Sequence, residues 1–197
     1  MSSVTRGFLS RLRLRNGVDL HLLAVLAVFG LLLLLLLISP YLVPAGRLQD
    51  LSGEVFSVDN QAQFSDMNPV AWLVYSFGDL NCHQLRERSF FLNDNQMPMC
   101  SRDTGIFIGL FAGALGMMLL SFKMRRRWLI LGLLPMMIDG ALQAATDYRS
   151  DNSIRVVTGA IAGIAVVMFI CMTVAMPERK AGALEEAPTV SENRTVQ

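Results

Sequence analysis

The chain has 197 residues, of which 53% are hydrophobic and 17% are charged, and its formal net charge is +1. Several apolar windows reach the roughly 20 residues that a helix needs to cross a bilayer. These proportions indicate an integral membrane protein and exclude a soluble domain, so we expect membrane lipid rather than nucleic acid as a partner.

The first apolar window, residues 20–43, contains an unbroken apolar run from Leu31 to Leu37 and is predicted as the first transmembrane helix. It ends at Pro40 and Pro44, where proline removes backbone hydrogen-bond donors. A cleaved signal peptide is the alternative, but the window exceeds the apolar core of a signal peptide, which has about 7–15 residues. Residues 1–19 ahead of it form a basic segment.

Three further apolar windows predict three more transmembrane helices, at residues 105–122, 128–145 and 156–176. Glycines at four-residue spacing, such as Gly105, Gly109 and Gly113, predict close packing between these helices. The tail, residues 177–197, is polar and is predicted to be disordered. The predicted fold class is therefore an all-α membrane protein with four transmembrane helices.

Basic residues predict the orientation, because Lys and Arg beside transmembrane helices usually stay in the cytoplasm. With four spans, the basic segment 1–19, the loop 123–127 and the pair Arg179 and Lys180 all lie on one side. We therefore predict a multi-pass protein of the cell membrane with both termini in the cytoplasm. The segments 44–104 and 146–155 are then extracytoplasmic.

The extracytoplasmic segment 44–104 is predicted to hold an interfacial helix and a short hairpin. Asp66 is the expected helix cap, with Pro69 in the first turn, and the aromatic stretch after it suits the membrane interface. The turn-forming residues Asn93 to Asn95 separate two short runs and predict a hairpin. This hairpin would bring Cys100 back towards Cys82.

Cysteine chemistry is concentrated in the same segment, which holds Cys82 and Cys100. Because exported cysteines are usually oxidised, we predict a disulfide between them, worth about 3 kcal/mol. A metal site is the alternative, in which Cys82, His83 and Cys100 bind zinc with Asp139 or another carboxylate as a fourth ligand. Thiol redox chemistry linked to a quinone is another, although the chain has no CxxC motif. Cys171 is interpreted as an apolar core residue of the fourth helix.

Asp139 lies inside the third apolar window, where a carboxylate is costly and requires a partner. Gln143 follows one helical turn later on the same face. Arg102 and Asp103 precede the second window. The remaining polar candidates on this predicted side are His83, Glu87, Arg88, Arg149 and Arg155.

Several motifs together resemble a family of small prokaryotic multi-pass membrane proteins classed as a domain of unknown function. They are Cys82-His83-Gln84, Glu87-Arg88-Ser89-Phe90, Met97 to Gly105, Pro135 to Gly140 with Gln143, and Arg155 to Gly159. The resemblance covers about residues 70–165 and implies a multi-pass membrane fold without an established activity. The family pattern often has proline where this chain has Arg86.

The preferred functional hypothesis is an outward-facing polar pocket that binds or processes an anionic lipid or a ligand resembling polyprenyl phosphate. Guanidinium groups match phosphate oxygens well. The expected ligand-binding residues are Arg88, Arg102, Gln143, Arg149 and Arg155. The expected acid or base groups are His83, Asp103 and Asp139, with Ser89 as a candidate nucleophile.

Two other functional classes stay open. One is the metal or thiol-redox site described above. Zinc is the alternative cofactor, for the metal site, and the sequence favours no cofactor. The other is a transporter or structural subunit, in which Asp139 pairs with Arg102 or Arg155 to specify packing in a homo-oligomer or with a partner membrane subunit. The sequence does not decide whether the protein is an enzyme.

Overall fold

The computed structural model of the chain describes residues 20–120 and 127–185. The predictions made for residues 1–19, for most of the loop 123–127 and for residues 186–197 lie outside these ranges.

The described residues form eight regular elements. In chain order they are α1 (Leu20–Ile38), α2 (Gln61–Phe64), α3 (Pro69–Asn81), β1 (Ser89–Leu92), β2 (Asn95–Cys100), α4 (Ser101–Leu119), α5 (Arg127–Ala145) and α6 (Asn152–Glu185). Short 3-10 turns follow α1 at Ser39–Leu42 and precede β1 at Arg86–Arg88. Four helices, α1, α4, α5 and α6, are long and apolar enough to cross a membrane, which confirms the predicted number.

The helix boundaries differ from the hydropathy windows at their polar ends. Helix α4 begins at Ser101 and α6 begins at Asn152, each four residues ahead of its predicted window, because their first turns are polar. Helix α6 also continues to Glu185, so residues 177–185 are helical where disorder was predicted. Glu, Arg, Lys, Ala and Leu in this stretch favour helix formation, whereas Pro177 and Gly182 oppose it.

Helices α4 and α6 pack backbone against backbone. A Cβ atom added at Gly109 would come within 3.0 Å of the Ala160 backbone, and one at Gly105 would do the same at Val156. The contact is mutual, since Gly159 faces the backbone of Arg102. The core between α1, α4 and α6 includes Cys171, which is buried among apolar side chains as predicted.

The predicted hairpin is present. Strands β1 and β2 pair antiparallel, with Leu92 opposite Asn95 and Ser89 opposite Cys100. The turn residues Asn93 and Asp94 have φ angles of 53° and 55°, which suits the two-residue turn typical of hairpins. Asn95 belongs to the strand rather than to the turn.

The loop after α1 fixes the hairpin through buried amide side chains. The backbone N–H of Leu48 donates to Asn95 Oδ1 at 3.0 Å, and that of Leu51 donates to Gln96 Oε1 at 3.0 Å. Asn95 and Gln96 are both fully buried. Strand β2 is therefore anchored just ahead of Cys100.

Helix α3 begins at Pro69, and Asn68 caps it by accepting a hydrogen bond from the N–H of Val70 at 2.9 Å. The predicted cap at Asp66 is wrong, because a proline in the first helical position directly follows the cap. Near its other end, a Cβ atom at Gly78 would come within 3.0 Å of the Pro98 backbone. This close contact brings Cys82, which follows α3, against β2.

Candidate functional site

Three side chains with metal-binding atoms meet where α3, β2 and α4 come together. One ligand atom each from Cys82, Cys100 and Asp103 lies within 4.8 Å of the others. Cys100 Sγ lies 3.2 Å from Asp103 Oδ2, and the Cys100 N–H donates to Cys82 Sγ at 3.4 Å. We call these three residues the cysteine–aspartate cluster.

Each residue of the cluster is placed by the end of a regular element. Cys82 follows the last turn of α3 and donates its N–H to the carbonyl of Gly78 at 2.8 Å. Cys100 ends β2 and is also the cap of α4, so Asp103 lies in the first turn of that helix. The cluster therefore combines a short C-x-x-D spacing with one distant cysteine.

The two thiols differ in acidity. The hydrogen bond between them raises the pKa of Cys82 above its usual range, and burial of Cys82 adds to this rise. The same hydrogen bond lowers the pKa of Cys100, although burial and the charge of Asp103 oppose the change. Cys100 is thus the readier of the two to ionise, as expected for a cysteine at a helix N-terminus.

The predicted disulfide is not supported, because Cys82 and Cys100 are both free. Cys100 pairs with Ser89 in the hairpin, and its sulfur lies beside Asp103. The hairpin brings the two cysteines near one another without bonding their sulfur atoms.

The structure places His83 away from the cysteine–aspartate cluster. Its Nδ1 atom lies 3.0 Å from the carbonyl oxygen of Gly53, and the residue is exposed. Asp103, rather than His83, is the third residue with a potential ligand atom close to those of Cys82 and Cys100. The C-x-x-D spacing is the sequence signal that could have suggested this exchange.

A second group of polar residues joins α4, α5 and α6. Arg102 forms an ion pair with Asp139 through Nη2 and Oδ2. Gln143 donates to the same carboxylate oxygen at 2.8 Å and accepts a hydrogen bond from Arg155. Arg155 also donates through Nε to the carbonyl of Ser150 at 3.1 Å. We call Arg102, Asp139, Gln143 and Arg155 the buried polar network.

Two atoms of this network are buried without a hydrogen-bond partner among the described residues, namely Arg102 Nε and Asp139 Oδ1. Arg102 Nε is a donor and Asp139 Oδ1 is an acceptor, so each could form a hydrogen bond with a water molecule or a small polar group. The network is thus polar, enclosed and incompletely paired.

The buried polar network and the cysteine–aspartate cluster are neighbours. The charge of Arg155 interacts with those of Arg88, Arg102, Cys100 and Asp139. Arg88 precedes Ser89, which is the strand partner of Cys100. Arg155 thus interacts electrostatically with two of the other predicted arginines, Arg88 and Arg102, while Arg149 is exposed.

Ser89 is placed inside the hairpin rather than towards solvent. Its hydroxyl donates to the carbonyl of Leu85 at 3.0 Å, and the residue is buried.

A supporting polar core was not identified from the sequence. Asp79 is fully buried and accepts from the N–H of Asn60 at 3.0 Å and from the side-chain amide of Asn60 at 2.6 Å. Gln84 donates to the carbonyl of Pro98 at 2.7 Å, two residues before Cys100. Asp, Asn and Gln are usually exposed, so residue type alone did not indicate that these side chains are buried.

Comparison with known proteins places these residues in a family. The family described as "Predicted membrane protein (DUF2085)" matches residues 82–169. The match begins at Cys82 and includes both the cysteine–aspartate cluster and the buried polar network.

Two archaeal relatives are similar over the same part of the chain. An uncharacterized protein of Methanocaldococcus jannaschii is 37% identical over 102 residues, which are 49% of this chain and 65% of that protein. An uncharacterized protein of Methanothermobacter thermautotrophicus is 37% identical over 90 residues, which are 44% of this chain and 81% of that protein. The match thus spans less than two thirds of the first relative. No solved structure matches the chain.

Proposed function

The chain belongs to the family of predicted membrane proteins DUF2085, and we propose that it binds a zinc ion at one edge of its helical bundle through Cys82, Cys100 and Asp103. The observation that carries this proposal is the close approach of the three ligand atoms, all within 4.8 Å of one another. Cys100 and Asp103 are three residues apart, whereas Cys82 is 18 residues ahead of Cys100 and reaches them through the close contact of α3 with β2.

The donor set suits zinc. Thiolate sulfur and carboxylate oxygen are both common zinc ligands, whereas Mg²⁺ and Ca²⁺ prefer oxygen alone. Three protein ligands leave one coordination position for water or a substrate, which is the arrangement typical of catalytic rather than structural zinc. We therefore propose a zinc site that is open to a ligand.

The electrostatic surroundings also support bound zinc. With both thiols ionised, the cluster carries three negative charges, one more than Zn²⁺ balances. The excess lies at the N-terminus of α4, where the helix dipole favours negative charge. The positive charge of Arg155 interacts with Cys100 as well.

We expect detergent-purified protein, after incubation with zinc and removal of the excess, to hold about one zinc ion per chain by elemental analysis. Each of Cys82→Ser, Cys100→Ser and Asp103→Asn should weaken binding by about tenfold or more, because each removes or neutralises a ligand. The matched control is His83→Gln, which should bind zinc like the unchanged protein.

Zinc affinity should also fall as pH is lowered. The pKa of Cys82 is raised in the metal-free protein, so its proton must be displaced on binding and competes increasingly at lower pH. Absence of zinc from the unchanged protein would contradict the proposal. Loss of zinc in His83→Gln but not in Asp103→Asn would instead favour the ligand set with His83.

A second candidate function is binding of an anionic lipid head group. The observation that favours it is that the charge of Arg155 interacts with those of both Arg88 and Arg102. Within the network, Asp139 is the carboxylate that faces Arg102. The side chain of Arg88 is 42% exposed and can approach a head group at the membrane surface.

For this second function, Arg88→Gln is expected to weaken binding of phosphatidylglycerol about fivefold, because one basic residue near a membrane surface contributes about 1 kcal/mol. Lipid retention in native mass spectrometry measures the effect, and phosphatidylcholine should show no such loss. Arg47→Gln is the control, since Arg47, like Arg88, lies 4.0 Å from a carboxylate but does not act on Arg155. Equal losses for both variants or for both lipids would rule out a specific head-group site.

A further inference from the structure

An apolar cavity of about 230 Å³ lies between α1, α3, β2 and α4. Helix α1 contributes Leu32, Leu35 and Leu36, and α3 contributes Leu73, Val74 and Phe77. Met99 of β2 and Phe107 of α4 complete the lining. Every side chain that lines the cavity is apolar, so the cavity suits an apolar ligand.

We propose that this cavity binds one hydrocarbon chain of a membrane lipid. Cavities lined only by apolar side chains stay dry and take up apolar molecules, as an engineered cavity of about 150 Å³ does with benzene. Filling the cavity returns van der Waals contacts that its lining otherwise lacks. A polar substrate would find no hydrogen-bond partner on these side chains.

The rim of the cavity indicates where the ligand comes from. Leu73 is 60% exposed, Phe77 is 49% exposed and Leu32 is 39% exposed. Leu32 also lies within the span Leu20–Leu42, which is long and apolar enough to cross a membrane. The opening is thus bordered by exposed apolar side chains, one of which belongs to a candidate membrane-spanning helix, so lipid chains are the apolar molecules expected beside it.

The shape of an occupant matters as well as its apolar character. A flexible hydrocarbon chain can enter the cavity from the bilayer and insert part of its length among the eight apolar side chains. A second copy of the protein or a partner helix would instead lie against the exposed apolar side chains at the rim.

The cavity also connects this lipid to the rest of the protein. Met99 lines the cavity, and the next residue is Cys100 of the cysteine–aspartate cluster. Binding of the chain does not require zinc, so the two proposals can fail separately.

The test compares two valines of α3 that lie one helical turn apart. Val74 lines the cavity, whereas Val70 is 42% exposed and lies outside the lining. Delipidated protein in detergent is titrated with dioleoyl phosphatidylcholine, a lipid without net charge, and retention of one lipid is measured by native mass spectrometry. Val74→Phe should weaken retention about tenfold or more by filling the cavity, and Val70→Phe should not.

A second pair of variants provides the same test if Val74→Phe does not fold. Leu35→Phe fills the cavity from α1, and Leu34→Phe changes a neighbouring residue that is 51% exposed. Cys82→Ser should retain the lipid like the unchanged protein, which separates chain binding from zinc binding. Equal lipid retention by the unchanged protein and by a folded cavity-filling variant would overturn the proposal.

Discussion

Replacement of Asp139 by alanine is expected to lower the free energy of unfolding by about 3 kcal/mol or more, because it leaves the Arg102 guanidinium without its ion-pair partner in an apolar bundle. Asp139 is 5% exposed and the side chain of Arg102 is 23% exposed, so water compensates little. Gln143 would lose a hydrogen bond as well. Denaturant-induced unfolding in detergent micelles measures the change.

The control and the rescue for this prediction follow from the same contacts. Asp147→Ala removes an exposed carboxylate just after α5 and should change stability little. Replacing both partners, as in Arg102→Met with Asp139→Leu, should restore most of the stability, since apolar side chains suit the bundle. If Asp139→Ala is as stable as the unchanged protein, the ion pair does not hold α4 against α5.

Replacement of Gly109 by leucine is expected to lower the free energy of unfolding by about 3 kcal/mol, because it forces α4 away from α6. Even a Cβ atom there would come within 3.0 Å of the Ala160 backbone, which cannot move aside like a side chain. Resistance to unfolding by an ionic detergent measures the loss of packing.

Gly116→Leu is the matched control for the Gly109 variant. It lies two turns later on α4, and a Cβ atom at Gly116 would meet no heavy atom within 4 Å. We therefore expect Gly116→Leu to leave stability nearly unchanged. Similar losses for both variants would mean that residue type in the helix, rather than contact with α6, determines stability.

The elements that follow from local patterns were well predicted. Four apolar windows correspond to four helices, because crossing a bilayer demands length and apolarity whatever the neighbours are. The hairpin was predicted from its turn, because Asn93 and Asp94 tolerate the positive φ angles that the turn needs. The positions of the helix ends were predicted less accurately, because a polar first turn such as that of α4 does not show in a hydropathy window.

The chemistry at the cysteines shows where local patterns stop being informative. The sequence predicted that Cys82 and Cys100 approach each other, but it assigned them a disulfide or a metal site with His83 and with Asp139 or another carboxylate. Asp103 lies beside the two cysteines because β2 ends at Cys100 and α4 begins at the next residue. The ring of His83 lies against the carbonyl of Gly53 instead. Neighbours in the chain need not point to the same side, so sequence adjacency was misleading here.

The sequence by itself determined four apolar helices, a hairpin and the need of Asp139 for a partner, because hydrophobicity, turn chemistry and the cost of a buried charge are properties of the residues themselves. Only the tertiary structure decided that Arg102 pairs directly with Asp139 while Arg155 connects through Gln143. It also decided that Asp103 completes the cysteine–aspartate cluster. These choices depend on how α4, α5 and α6 pack together and on the close contact of α3 with β2. Both bring together side chains that are far apart along the chain.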